Sequence, residues 1–244
     1  MSKVAIVAAL EREVRPLVRG PMKDWRVGER EHAGRRYHFF EKDDFVLVCG
    51  GIGAEAARRA AEAMIAIFAP KVVYSAGFAG ALDPGLKVGH IVQPRRVVNA
   101  GDGSSVKLDG GAGVLVSFGS VATPGQKAKL RDSYGAQAVD MEAAAVARAA
   151  EARGVGFAVV KVISDEFDFS FPSMERFVDP NGQFLEARFA WFAAVRPWMW
   201  PQVARVARNS NRASRALCDW LQKRIAESAA PGSGGHAIAD ANHR

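Results

Sequence analysis

Apolar and polar positions fall in short blocks along most of this chain, and the blocks switch period as they go. Residues 4–10 form an unbroken apolar run of strand length, the pattern of a strand buried on both faces. Glu11-Arg12-Glu13-Val14 follows as a turn or first helical turn. Residues 37–40 and 45–49 read as strands joined at Lys42-Asp43-Asp44. Gly50-Gly51-Ile52-Gly53 opens an alanine-rich helix over 54–68. Residues 71–75 read as a strand that ends in Ala76-Gly77-Phe78-Ala79-Gly80, small residues that either let a ligand approach the backbone or form a plain strand-to-loop turn.

Residues 88–98 are strand-like but interrupted at Pro94, and 99–113 read as a glycine-rich loop. A strand over 114–118 precedes a helix over 124–134, with Thr123 as its cap and Pro124 at its first position. Then come a strand over 136–141, a helix over 142–153 and a strand over 157–163. Two further helices are expected over 183–195 and 201–224. Strands alternating with helices predict an α/β fold, a three-layer αβα sandwich around a mixed, partly barrel-like central sheet. One domain is expected over residues 1–226, with a small-residue, polar and glycine-rich tail at 227–244 expected to be disordered.

Composition narrows the classes. The 244 residues are 49% hydrophobic, enough for one full core. Cys49 and Cys218 lie far apart and neither sits in a CxxC, which reads as a reduced, cytoplasmic chain. The five histidines show no metal-ligand spacing, so no metal and no cofactor is expected. The first apolar run is too short for a signal peptide, and no run approaches a membrane span. The net charge of +7 is uneven: residues 185–224 hold eight Lys or Arg against Glu186 and Asp219. Four of the five tryptophans, Trp191, Trp198, Trp200 and Trp220, fall in the same segment.

The candidate chemistry lies where strands end. Gly51-x-Gly53-x-x-Ala56 follows a strand and opens a helix, as a dinucleotide fingerprint does. The fingerprint also needs an acid at the end of the next strand. That strand ends in Ser75-Ala76-Gly77, so a tight turn with amides open to a ligand is the better reading. Glu13, Glu142 and Asp165 each follow an apolar strand. Any one alone reads as a helix-start acid favoured by the helix dipole. Three together suggest carboxylates gathered in an apolar pocket, where their proton affinities are pushed apart. That arrangement suits glycosidic cleavage, with one group protonating the leaving group and another activating water.

These residues carry a family likeness. Ala9-Leu10-Glu11-Arg12-Glu13-Val14, Gly50-Gly51-Ile52-Gly53, Gly77-Phe78-Ala79-Gly80-Ala81-Leu82, Ala138-Val139-Asp140-Met141-Glu142-Ala143-Ala144-Ala145 and Val162-Ile163-Ser164-Asp165 occur in family order. Over residues 3–168 the chain resembles the nucleoside phosphorylase and nucleosidase superfamily. Within it, the likeness is to methylthioadenosine/S-adenosylhomocysteine nucleosidases and related bacterial purine nucleosidases. The resemblance implies a purine nucleoside as small-molecule partner and a homo-oligomer, with a dimer favoured. Glu13 would orient or deprotonate the attacking water. Met141 would pack under the ribose, and Glu142 would accept from its hydroxyls. Asp165, held by Ser164, would donate a proton to N7 of the departing purine, and to do so it must carry that proton in the closed site. Gly53, Phe78, Ala79 and Gly80 would complete the substrate contacts, with the base near 119–121. Phosphate-using members carry a small hydroxyl residue where this chain has Phe78, which favours water as the nucleophile over phosphate.

The C-terminal segment admits three readings. Arg205, Arg208, Arg212 and Arg215 share one helical face, while Val203, Val206, Leu217, Trp220 and Leu221 share another. A core helix pair with a solvated arginine face, or an oligomer interface, is the simplest. The second is an aromatic lip beside a basic stripe over 189–215, a peripheral contact with the inner face of a membrane. This pattern is similar to the hopanoid-associated branch of the superfamily, whose implied substrate is adenosylhopane. The third, nucleic-acid binding, lacks a recognition motif and is not expected. A phosphate-dependent phosphorylase and a non-catalytic nucleoside-binding or storage protein are the alternative functions.

Overall fold

The computed structural model of the chain describes residues 3–19, 24–169, 177, 179, 182–194 and 196–229. Its order is β1 Val4–Ala8, α1 Glu11–Arg19, β2 Arg26–His32, β3 Arg35–Lys42, β4 Phe45–Cys49, α2 Ala54–Phe68 and β5 Val72–Ala81. Then follow β6 Ile91–Val92, β7 Arg96–Asn99, β8 Ser105–Lys107, β9 Val114–Ser117, α3 Pro124–Tyr134, β10 Ala138–Asp140, α4 Ala143–Glu151 and β11 Gly156–Asp165. The chain continues through α5 Glu186–Ala194, a 3-10 turn Pro197–Met199 and α6 Trp200–Ala229.

The expected mixed α/β sheet is present, in the order β2-β3-β4-β1-β5-β10-β9-β7-β8. β1 runs parallel to both β4 and β5. β11 branches from the path by pairing parallel to β5 along its length and antiparallel to β6. β5 thus carries β1 and then β10 on one edge and β11 on the other, which curls the sheet around its centre.

Alternation along the central strands builds the three layers. Ala5, Val7, Val46, Val48 and Val73 pack with Ala57, Ala60, Met64 and Val146 of α2 and α4. Ile6, Ala8, Leu47, Ala76 and Val160 pack on the opposite side with Val14 and Leu17 of α1 and Leu217 and Leu221 of α6. Each fully buried Val, Leu, Ile or Met among them stabilises the fold by about 1.5–3 kcal/mol. α3 starts as expected: Thr123 accepts from the Gln126 amide, and the Gln126 side chain accepts from the Thr123 amide.

Three expectations need correction. The run Ala76–Gly80 is not a turn but the second half of β5, paired with β11 through Gly80. The loop expected over 99–113 contains β8. The tail expected from residue 227 begins inside α6, whose last turn reaches Ala229, and residues 230–244 lie outside the described part.

Candidate active site

The carboxyl ends of β1, β5, β10 and β11 meet beside a cleft of about 190 Å³. Ligands of open α/β sheets sit at such ends. Glu13, Phe78, Ala79, Gly80, Met141, Glu142, Ser164 and Asp165 all line it. Strands far apart in sequence therefore bring together every expected site residue except Gly53.

Glu13 stands in the first turn of α1, 5% exposed. Its Oε2 accepts from the amides of Ala9 and Leu10 at 3.3 and 3.5 Å. Burial, and then the charge of Glu142, push its pKa up to about 7, against the pull of Lys161 and Arg12. Glu142 is the N-cap residue of α4, but its side chain makes no capping hydrogen bond. Its Oε1 accepts from the Gly53 amide at 2.9 Å and its Oε2 from the Met141 amide at 3.2 Å. Gly53 therefore acts through Glu142: the amide expected to be open to a ligand is already taken. Burial raises the pKa of Glu142, and Lys161 opposes that rise.

The glycines of β5 have a steric reason. A Cβ on Gly77 would stand 2.8 Å from Oε2 of Glu13. A Cβ on Gly80 would stand 2.8 Å from Oδ2 of Asp165. The strand is kept bare where the two carboxylates cross it. β11 shifts register between Ile163 and Asp165, and that irregularity sets Asp165 opposite Gly80. Ser164 donates to Asp165 Oδ1 at 2.9 Å.

Sequence reading missed three charged residues here. Lys161 is 1% exposed in the middle of β11 and binds Asp140 Oδ2 at 2.8 Å, with Glu142 Oε2 at 3.8 Å. Burial works to lower its pKa, but Asp140, Glu142 and Glu13 together raise it, so it stays charged. Asp140 is itself buried and accepts from Ser117 Oγ at 2.5 Å and from the Ala143 amide at 2.9 Å. Lys127 of α3 is 1% exposed and donates to Asp165 Oδ2 at 2.5 Å. The cleft wall also includes Arg12, whose guanidinium lies 4.9 Å from the Phe184 ring, and Ser120, Val121 and Ala122, close to the stretch expected to meet the base.

The C-terminal segment divides. Leu217, Leu221 and Ile225 are buried against α1 and the sheet, as the core reading expects. Trp191, Trp198 and Trp200 are 73%, 71% and 56% exposed. Arg205 lies over the Phe169 ring at 5.3 Å. Among the described residues no helix is long and apolar enough to cross a membrane.

Fold and site together define an enzyme of the nucleosidase and nucleoside phosphorylase class. The chain belongs to the Phosphorylase superfamily, whose family model matches residues 3–119 and 112–183. It is 27% identical over 210 residues to an aminodeoxyfutalosine nucleosidase of Campylobacter jejuni, covering 69% of this chain and 90% of that protein. It is 32% identical over 103 residues to a 5′-methylthioadenosine/S-adenosylhomocysteine nucleosidase of Marinomonas, covering 41% of this chain and 42% of that protein. Its fold matches a 5′-methylthioadenosine/S-adenosylhomocysteine nucleosidase of Helicobacter pylori, with a TM-score of 0.68, 19% identity and coverage of 93% and 99% of the two chains. A futalosine hydrolase of the same species matches with a TM-score of 0.67, 18% identity and coverage of 93% and 98%.

Proposed function

We propose that this chain hydrolyses the N-glycosidic bond of a 5′-substituted adenosine and releases adenine. One observation carries the reading: Glu13, Glu142 and Asp165 line one cleft, in three different hydrogen-bonding environments. As the bond to the base breaks, positive charge develops on the ribosyl carbon, and Glu142 and Glu13 place negative charge around it. Glu13, with a pKa of about 7, is matched to taking a proton from attacking water near neutral pH. Met141 lies under the sugar, Glu142 accepts from the ribose hydroxyls, and Asp165 delivers the proton to N7.

The Marinomonas relative's name gives 5′-methylthioadenosine as a substrate, which supports the 5′ substituent. A long apolar group, as in adenosylhopane, is the finer form we favour. Phe184 of the cleft wall leads directly into α5, and exposed Trp191, Trp198 and Trp200 follow it. The same aromatics suit contact with a membrane surface. A homodimer belongs to the same proposal, and sedimentation of the purified chain tests it.

Arg12 gives phosphorolysis one specific observation, since a guanidinium on the cleft wall can hold phosphate. Phe78, on the same wall, occupies the place expected of a phosphate-binding hydroxyl and favours water.

Adenine release is to be measured from methylthioadenosine, adenosylhomocysteine, adenosine and an adenosine with a long apolar 5′ group, with and without phosphate. Phosphate-independent release is expected. A strict phosphate requirement overturns the hydrolase, and no release from any of them favours a binding protein. The substitution Trp198→Ala with Trp200→Ala should lower binding to anionic liposomes; a parent that does not bind them removes the membrane contact.

A further inference from the structure

Lys127 occupies an unusual place for a lysine. It enters the protein from the first turns of α3, a helix whose start is fixed by Thr123, Pro124 and Gln126. Its side chain is almost wholly buried on the wall of the cleft. The ammonium spends two of its three donors on Asp165 Oδ2, at 2.5 Å, and on the Glu166 carbonyl, at 2.7 Å. Ser164 occupies the other carboxylate oxygen of Asp165 at 2.9 Å. Burying an ammonium costs several kcal/mol unless it is paired, so this contact is built rather than incidental.

The pairing changes what Asp165 brings to the reaction. The proposed chemistry needs a proton at N7 as the base leaves. Both oxygens of Asp165 already accept, one from the Lys127 ammonium and one from the Ser164 hydroxyl, so neither presents a hydrogen to the base. The nearest mobile proton is on Lys127.

We propose that Lys127 is the proton reservoir for Asp165, a positioning residue that acts on the leaving base through it. As the C1′–N9 bond breaks, its electron pair passes to the purine. Lys127 gives a proton to Asp165 and Asp165 hands it on to N7, leaving Lys127 as the neutral amine and Asp165 again as the carboxylate. Water adds to C1′ and its proton passes to Glu13. After the base departs, Glu13 releases that proton and Lys127 recovers one from solvent, so charge and protons balance over the cycle. This inference rests on the proposed nucleosidase reading of the cleft.

The test compares Lys127→Met and Lys127→Arg with the parent on two substrates: methylthioadenosine, whose base must be protonated, and p-nitrophenyl riboside, whose leaving group needs no proton. Arginine keeps a positive charge beside Asp165 but does not give up a proton. Both variants should lose about 100-fold or more in kcat on methylthioadenosine, within the range seen for removal of acid catalysis. On the nitrophenyl substrate they should lose less than about 3-fold. Equal losses on both substrates, or full activity of Lys127→Arg on methylthioadenosine, overturn the relay. If the parent does not turn over the nitrophenyl riboside, the pH profile on methylthioadenosine decides. The alkaline fall of the parent should be absent in Lys127→Arg, and an unchanged profile overturns the inference. A parent that releases no base from any nucleoside fails the reading of the cleft and the relay with it. A parent that does so while the variants match it fails the relay alone.

Discussion

The two ends of the cleft hold their charges in opposite ways. At one end, Glu13, Asp140 and Glu142 share Lys161, the one buried cation there among the described residues, and exposed Arg12 acts on Glu13 as well. At the other, Asp165 has Lys127 to itself. The first end carries more carboxylates than cations, and burial there raises the pKa of both Glu13 and Glu142. An excess of negative charge in a closed site is costly in the resting protein, and it is recovered when a ribosyl cation forms beside it. The second end is matched one to one, which suits a place where a proton is passed and no net charge accumulates. The lesson is that the number of acids alone does not define a glycosidic site. What separates their tasks is which of them must share a cation.

The comparison breaks most severely at Lys161. Lys161→Met should leave Asp140 and Glu142 buried without a counter-ion, a change worth about 3–5 kcal/mol of stability. Urea unfolding measures it, and a loss below about 1 kcal/mol would show that the cluster does not depend on this cation. Asp165→Asn should cut turnover about 10²–10⁴-fold on purine nucleosides. It should also cost about 1–3 kcal/mol, because Lys127 loses its charged partner while keeping the Glu166 carbonyl. Near-normal turnover would remove Asp165 from proton delivery.

Glu13 offers a pH-resolved test of the acid-rich end. It holds its proton more tightly folded than unfolded, with a pKa of about 7 against 4.5. Its contribution to stability is therefore complete below about pH 4.5 and is lost as pH rises through about 7. The full difference is about 3 kcal/mol. Glu13→Gln resembles the neutral form at every pH. Its melting temperature should match the parent near pH 4.5 and exceed it at pH 8.5, while its turnover falls at both. The parent's kcat/KM should rise through about pH 7 as Glu13 ionises to receive the water's proton. A melting difference independent of pH would show that Glu13 is not held against its charge.

Much of this arrangement is legible in the chain, and the reasons differ by element. Helices α2 and α3 read to the residue, because glycine before one and Thr123-Pro124 before the other mark their starts. The acids stood out because each is a polar residue ending an apolar run. Strand β2 did not: Arg26–His32 is an edge strand paired, among the described residues, only with β3, mostly exposed, and it lacks the apolar face that marks a strand. The second half of β5 looked like a turn because its glycines are small where the carboxylates cross the strand, and Gly77 in addition takes a positive φ of 151°. Lys161 left one trace, a lone charge inside an apolar run, which burial then requires to be paired. Lys127 left none, since nothing in α3 distinguishes it from Lys129; only the packing of α3 against the end of β11 does.

Gly80 allows the smallest intervention at the balanced end. Gly80→Ala keeps an ordinary strand conformation, since the residue has no left-handed backbone angle, but its Cβ meets Asp165 Oδ2 at 2.8 Å. The carboxylate has to move, and Lys127 and Ser164 hold it from the other side. Overpacking of this kind costs about 1–3 kcal/mol of stability. Because the methyl group touches the carboxylate and not α3, the loss should be larger in kcat on methylthioadenosine than in melting temperature, and larger on that substrate than on p-nitrophenyl riboside. A variant that loses stability but keeps its turnover would mean that the position of Asp165 does not limit the reaction. The contrast between the two ends would then rest on the Lys161 cluster alone.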